Sequence, residues 1–296
     1  MGQTDQAGRH DHREMELMAL LRATAARTMR YDFTVWFWGD AIAFDGLMDA
    51  AELLGDAAPH EFCRRFVDRF AKRGLIFNDH LAPGAVIARL HRFTNDARYL
   101  DQARRLADFL LHETPRGSDG APLYKPELPM YRQTVYVDSI YHMPPFYALL
   151  GQMTGDARYF DHAVAEWKSH VAVLSVPGQP FLCHAYDNGY LKTRGYGWGR
   201  GSGWALYGLV DTLELLPKAH PGYAETKAYT VRFAEAIRKI QDASGFWRTL
   251  LHDQEAYLES STASFFGAAF EKGVRLAARG KYYFFAHTFR GVDRHR

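Results

Sequence analysis

One six-residue phrase occurs twice in the chain and governs what it can fold into. Asp96-Ala97-Arg98-Tyr99-Leu100-Asp101 returns 60 residues later as Asp156-Ala157-Arg158-Tyr159-Phe160-Asp161. Phe93-Thr94-Asn95 precedes the first copy and Met153-Thr154-Gly155 the second. Leu53-Leu54-Gly55-Asp56 is a third echo, and Leu215-Leu216-Pro217 a looser fourth. Each phrase reads as a helix stop followed by a helix start. Asn or Gly supplies a left-handed residue that ends one helix, and Asp caps the next. Repeats at a regular spacing make a fold of stacked or closed structural units the first expectation.

The helices flanking these turns are of two kinds. The segments before them are apolar nearly all round: 41–54, 83–94, 139–153, 203–216 and, near the end, 260–278. A helix without a polar face must be buried. The segments after the turns are amphipathic. In 96–112, Leu100, Ala103, Ala107 and Leu110 form one stripe, while Asp101, Arg104, Arg105 and Asp108 face away. Extended pieces are expected only near 181–198 and 245–252. Alternating inner and outer helices predict an all-α fold of helical hairpins closed into a ring, with an open solenoid as the competitor. The ring is favoured because the period exceeds that of common helical repeats. The long loops 113–135 and 175–200 all follow outer helices, so they gather at one mouth. One domain, 14–296, is expected after an irregular lead-in at 1–13.

Whole-chain properties narrow the function. The 36 Lys plus Arg against 34 Asp plus Glu leave +2, which gives no reason to expect a nucleic-acid partner. No run of 18 apolar residues is present, so no membrane span is expected, and no secretory leader is read at the N-terminus. Two cysteines, Cys63 and Cys183, without a CxxC pair fit a reducing compartment, and a cytoplasmic location is expected. Aromatics make up 15% of the chain, a composition suited to flat, partly apolar ligands.

Several residues are candidates for chemistry. Asp138 stands at the start of an inner helix, in Val137-Asp138-Ser139-Ile140-Tyr141, before Met143-Pro144-Pro145-Phe146. It reads equally as an N-cap or as a carboxyl group at the mouth of an apolar barrel, where desolvation would raise its pKa and suit it to act as an acid. Asp79, in Asn78-Asp79-His80, precedes another inner helix. By itself it reads as a turn residue, but it falls at the same end of the ring as Asp138, and two carboxylates flanking a cavity is a glycosidase arrangement. His184 and Asp187 lie in one loop. Neither HExxH nor another ligand spacing is present, so no metal is expected. Gly197-Trp198-Gly199-Arg200-Gly201-Ser202-Gly203-Trp204 fails as a phosphate loop, since it lacks a lysine and a preceding strand. As a sugar site it works: Trp198 and Trp204 offer faces to pyranose rings, Arg200 can clamp a carboxylate, and the glycines allow close approach of a ligand. Trp38 reads either as a barrel plug or as a pocket wall. Glu259-Ser260-Ser261-Thr262-Ala263 reads as a helix cap.

Taken in order, these motifs resemble those of glycoside hydrolase family 105, the unsaturated rhamnogalacturonyl and glucuronyl hydrolases, related to family 88. The likeness runs from about Trp36 to about Gly280. It implies a six-hairpin (α/α)6 toroid-type barrel. The substrate implied is an oligosaccharide, left by a polysaccharide lyase, whose terminal uronic acid carries a C4=C5 double bond. The reaction implied is hydration of the vinyl ether. Asp138 would protonate C4 and help water add at C5, after which the hemiketal collapses and the ring opens. Asp79 matches the second carboxylate. His184, Trp198, Arg200 and Trp204 would hold the ring and its carboxylate, and Trp38 falls where an aromatic lines the pocket. No cofactor is implied.

Three departures from the family pattern stand out. A histidine common upstream of the Val-Asp motif is missing from Leu123-Tyr124-Lys125-Pro126-Glu127. Ser202 replaces the usual Asn of the Arg-Gly-Asn-Gly-Trp motif. No clear candidate for a sixth inner helix follows Gly280. The expectation is a ring incompletely closed at its C-terminal end, or a second copy of the chain covering that gap. An inverting glucuronidase, a sugar epimerase using histidines, and a non-catalytic sugar-binding protein are the alternatives.

Overall fold

The computed structural model describes residues 3–72, 84–125, 128–131 and 133–278. Asp79 and the segment after Gly280, where a sixth inner helix was sought, lie outside the described residues. By internal contacts the described residues form two compact units, one reaching Leu106 and the other beginning at Ala107.

The repeated turns are built alike down to single atoms. In the first copy, Asn95 has φ of 56° and ends the helix before it. In the second, Gly155 takes the same role with φ of 71°. The Thr94 and Thr154 hydroxyls each donate to the carbonyl four residues back (Leu90 and Leu150) at 2.7 Å. Each also accepts the Asp96 or Asp156 N–H at 3.2 Å. The Asp carboxylate then accepts the backbone N–H of Arg98 or Arg158, at 2.9 and 3.0 Å, and pairs with the same arginine's guanidinium. Those bonds satisfy donors that the first turn of a helix otherwise leaves open. The third echo follows suit: Gly55 has φ of 61°, and Asp56 accepts the Ala58 N–H at 2.9 Å. The fourth does not. Leu216 is extended, Pro217 follows, and the next helix begins without an Asp cap.

The first unit contains α1 (Gln3–Thr28), α2 (Trp38–Leu54), α3 (Ala57–Lys72), α4 (Gly84–Thr94) and the start of α5 (Ala97–His112). Residues 3–13, expected as an irregular lead-in, belong to α1. The inner helix α2 buries Ala41, Phe44, Leu47, Met48, Ala50 and Ala51. The amphipathic α3 presents Cys63, Phe66 and Val67. Phe44 packs on Phe33 and Phe66 with ring centroids 4.8 and 4.6 Å away. Aromatic contacts of this kind add to the stabilisation from burial alone.

In the second unit follow β1 (Thr134–Tyr136), α6 (Ser139–His142), α7 (Pro144–Thr154), α8 (Arg158–Leu174), β2 (Cys183–Asp187), β3 (Lys192–Tyr196), α9 (Gly199–Leu215), α10 (Tyr223–Lys239), β4 (Trp247–Arg248), β5 (Leu258–Glu259) and α11 (Ser260–Ala278). The inner helices α7 and α9 are buried along most of their length, whereas α8 and α10 bury one face. The single inner helix expected over 139–153 comes in two pieces, because Pro144 has no N–H to continue the ladder past Met143. Helix α9 packs against α6, α7, α10 and α11. Its approach to α6 is backbone to backbone: a Cβ added at Gly208 would lie 2.1 Å from the Ile140 carbonyl oxygen and 2.6 Å from the Tyr141 Cα. Among the described residues no helix is long and apolar enough to cross a membrane.

Two substitutions test this packing. Gly208→Ala is expected to cost about 1–3 kcal/mol through overpacking and to lower the thermal midpoint. Gly267→Ala on the exposed face of α11, where a Cβ meets nothing within 4 Å, should gain about 0.5–1 kcal/mol in helix propensity. Equal midpoints for the two variants would refute the backbone contact. Asp40 in α2 offers a third test. Its carboxyl is pushed up to about 6, mainly by burial and despite a backbone hydrogen bond from Phe37. The folded state therefore holds this proton more tightly than the unfolded one, and stability falls as pH rises from about 4 through 6. Asp40→Asn is expected to melt higher than the parent near pH 8, with the difference fading toward pH 4. Thermal melts across that range check it.

Candidate active site

Asp138 is carried to its place by a three-stranded antiparallel sheet in the order β1-β2-β3. Tyr136 pairs with Ala185, and the Val137 N–H donates to the His184 carbonyl at 2.9 Å. The chain leaves β1 and turns at once into α6, with Asp138 at the junction. Asp138 occupies the N-cap position, yet its backbone is helical (φ −55°, ψ −32°) and its side chain caps nothing. The residue is only 9% exposed, and its Oδ2 is buried with no hydrogen-bond partner. His184 Nε2 lies 3.5 Å from that oxygen. A buried carboxylate oxygen without a partner is costly and needs an explanation, and a cap does not supply one here.

Around His184 the aromatic wall continues. Its ring is 4.3 Å from Trp198 and 5.2 Å from Tyr136, centroid to centroid. The Arg200 guanidinium stacks 4.5 Å above the Trp198 ring. Arg200 Nη1 also donates to Glu259 Oε1 at 2.5 Å and to the Ser261 hydroxyl at 3.2 Å. Glu259 in turn accepts from the Ser261 and Thr262 hydroxyls, at 2.5 and 2.6 Å. Burial pushes the Glu259 carboxyl up, but these hydroxyls and the Arg200 charge together hold it below its usual range. Glu259, expected as a helix cap, thus also holds the arginine beside the tryptophan.

The glycines of the 197–204 stretch serve the protein's own packing, where close approach of a ligand was expected. A Cβ at Gly201 would strike the Trp198 ring at 2.6 Å, and one at Gly203 would strike the Phe265 Cβ at the same distance. Gly197 takes φ of 67° and lies against His252. The backbone here is tied down as well, since the Gly199 N–H donates to Thr249 and the Leu251 N–H to Gly197, both at 2.7 Å.

Other candidates have different surroundings. Trp204, expected to hold the sugar ring, is 2% exposed. It packs against Phe265 at 4.4 Å, Tyr141 at 5.1 Å and His142 at 5.4 Å, so its ring is occupied by the core. Asp187 is a turn residue: its carboxylate accepts the Gly189 and Tyr190 N–H groups and pairs with Arg194. Trp38 is the first residue of α2 in the first unit, 38% exposed beside Phe37. No group of His, Cys, Asp and Glu able to hold a metal occurs among the described residues.

Sequence reasoning passed over two members of this neighbourhood. Tyr136 belongs to β1, a three-residue strand too short to show an alternation. His142 follows Asp138 by one helical turn, and that i, i+4 spacing was the available signal. Its pKa is pushed down to about 3 by burial, so the ring is neutral, and its Nε2 has no partner.

Comparison with known proteins places the chain. The family model for glycosyl hydrolase family 88 matches residues 16–287. The unsaturated rhamnogalacturonyl hydrolase YesR of Bacillus subtilis is 26% identical over 268 residues, spanning 89% of this chain and 78% of that protein. A crystal structure from Klebsiella pneumoniae, described as a possible member of family 105, superposes with a TM-score of 0.77 at 22% identity, covering 94% of this chain and 80% of the other. The unsaturated glucuronyl hydrolase of Bacillus sp. GL1 gives 0.60 at 18% identity, over 89% and 76%. These likenesses agree with the α/α-barrel fold class expected from the sequence. By its residues 16–287 the chain belongs to glycosyl hydrolase family 88.

Proposed function

We propose that the protein hydrolyses short oligosaccharides whose terminal uronic acid carries a C4=C5 double bond, by hydrating that bond. The single observation that carries this reading is the Asp138 carboxyl group. It is nearly buried, has one oxygen that makes no hydrogen bond, does no capping, and lies beside a histidine–tryptophan–arginine wall. Protonating carbon needs a proton donor held out of bulk water with a free oxygen directed at the substrate. The names of YesR and the Bacillus sp. GL1 enzyme point to the same substrate class.

In this scheme the Asp138 proton moves to C4. The resulting cation at C5 is stabilised by the ring oxygen and captured by water, whose proton returns to the Asp138 carboxylate. The hemiketal formed then collapses, the ring opens, and the remaining sugar leaves. His184, 3.5 Å away, orients the carboxyl group. Trp198 gives a face to the unsaturated ring, and Arg200 pairs with its carboxylate. Asp79 is assigned as the second carboxylate and Trp38 as a pocket aromatic, both from the family resemblance. The two compact units are taken as one catalytic domain working in the cytoplasm, a location compatible with the free thiols of Cys63 and Cys183.

Two measurements test the assignment. Lyase-generated unsaturated oligosaccharides should lose their ultraviolet absorbance on incubation, and Asp138→Asn should slow that decay by about a hundredfold to ten-thousandfold. Undiminished decay in the variant removes Asp138 from the mechanism. Cleavage of saturated glucuronides alone indicates an ordinary glucuronidase, and binding without turnover a sugar-binding protein. Glu259→Ala should release Arg200 from its present place and raise KM more than it lowers kcat. A fall in kcat at constant KM would mean that Glu259 acts in the chemical step.

A further inference from the structure

Helix α1 leaves most of its surface outside the packing of its own unit. It packs on α2. Ala25 is buried, and Met18, Leu21 and Thr28 are half-buried, which makes a single stripe at spacings of three and four. Every other described side chain from His12 to Arg27 is exposed. The outer side of such a helix is ordinarily polar. Here Leu17 is 57% and Leu20 64% exposed. The exposed side also has an order along its length. Glu16, Leu20, Ala23 and Arg27 recur at spacings of four, three and four, so they form one row. Leu17 and Thr24 flank that row on one side. An acid thus stands at one end and a base at the other, with a large and a small apolar residue between them. Glu16 Oε1 lies 3.8 Å from His12 Nδ1, and Arg27 makes no ion pair among the described residues.

A row that reads acid, leucine, alanine, base is the complement of itself turned end for end. Laid antiparallel about a two-fold axis, Glu16 of one copy stands opposite Arg27 of the other, and Leu20 stands opposite Ala23. Each of these pairings occurs twice, as an isologous contact requires. A large side chain meets a small one, which lets two helices approach closely. Parallel pairing would set Glu16 on Glu16 and Arg27 on Arg27, and a partner of one charge sign would meet repulsion at one end. We propose that this face of α1 docks a second copy of the chain, antiparallel, along Glu16, Leu20, Ala23 and Arg27. The leucines supply the adhesion, and the charges set direction and register. The contact is one helix wide, so the association belongs to the weak, concentration-dependent class. It uses no residue of the candidate active site and does not rest on the proposed function.

Sedimentation velocity of the full chain across a wide range of concentration tests the contact. The parent is expected to shift from monomer toward dimer as concentration rises. Glu16→Arg and Arg27→Glu each set like charges opposite one another, and each should weaken dimerisation at least about tenfold. The double variant Glu16→Arg/Arg27→Glu restores opposite charges in reversed order and should return to within about threefold of the parent. An equimolar mixture of the two single variants should also dimerise, because in the mixed pair every charge at these positions meets its opposite. Leu20→Asp should weaken dimerisation and should not be rescued by the charge reversals. Far-ultraviolet circular dichroism of every variant is expected to match the parent, since the altered side chains are exposed. The proposal is overturned by a parent that stays monomeric at every concentration, or by single variants that dimerise as the parent does. Failure of both the double variant and the mixture to recover would overturn it equally, since the antiparallel register requires that rescue.

Discussion

The contact between α6 and α9 at Gly208 is what the second unit's site is built on. Only a residue without a side chain lets the two backbones approach to this distance, and α6 is the helix that Asp138 begins. The same α9 begins at Trp198, its N-cap, and carries Arg200 in its first turn. A single crossing thus fixes the carboxyl group relative to the aromatic and cationic wall. Both helices emerge from the same three-stranded sheet, so the site sits where extended segments hand over to helices. A constellation held this way loses little to side-chain and loop motion when a substrate arrives.

Much of this was legible in the chain. The repeated Thr-x-Asp-x-Arg turns gave away the hairpins because every bond in them is local, so their chemistry is written in adjacent residues. The inner helices were visible as segments lacking a polar face, since burial on all sides leaves that mark on composition. What escaped depended on distant partners. β1 is extended because β2 pairs with it, not because Thr134-Val135-Tyr136 insists on it. The glycines around Trp198 looked like a floor for a ligand, but their neighbours turn out to be Val137, Phe265 and His252. Trp204 looked identical to Trp198 in the sequence, and only the packing of Tyr141, His142 and Phe265 separates a buried ring from a half-buried one.

Asp138 and Asp40, two of the aspartates with an orphaned oxygen, show how differently one residue type can be read. Both begin or nearly begin an inner helix, where an acidic residue is ordinarily favoured by the helix N-terminus. Asp138 makes no side-chain cap, whereas the Asp40 carboxylate accepts the backbone N–H of Phe37. In each case one oxygen is shielded from solvent and makes no hydrogen bond. The first stands beside a histidine, a tryptophan and an arginine. The second lines a cavity together with Arg27, Arg30 and Tyr31.

The clasp shared by Thr94-Asn95-Asp96 and Thr154-Gly155-Asp156 has a consequence for how such a chain can be assembled. Its bonds join residues no more than four positions apart, so each corner can close before the rest of the molecule has found its place. Corners that close on their own make hairpins exchangeable modules. A gene that duplicates or trims one hairpin would deliver a chain whose remaining corners still know how to bend.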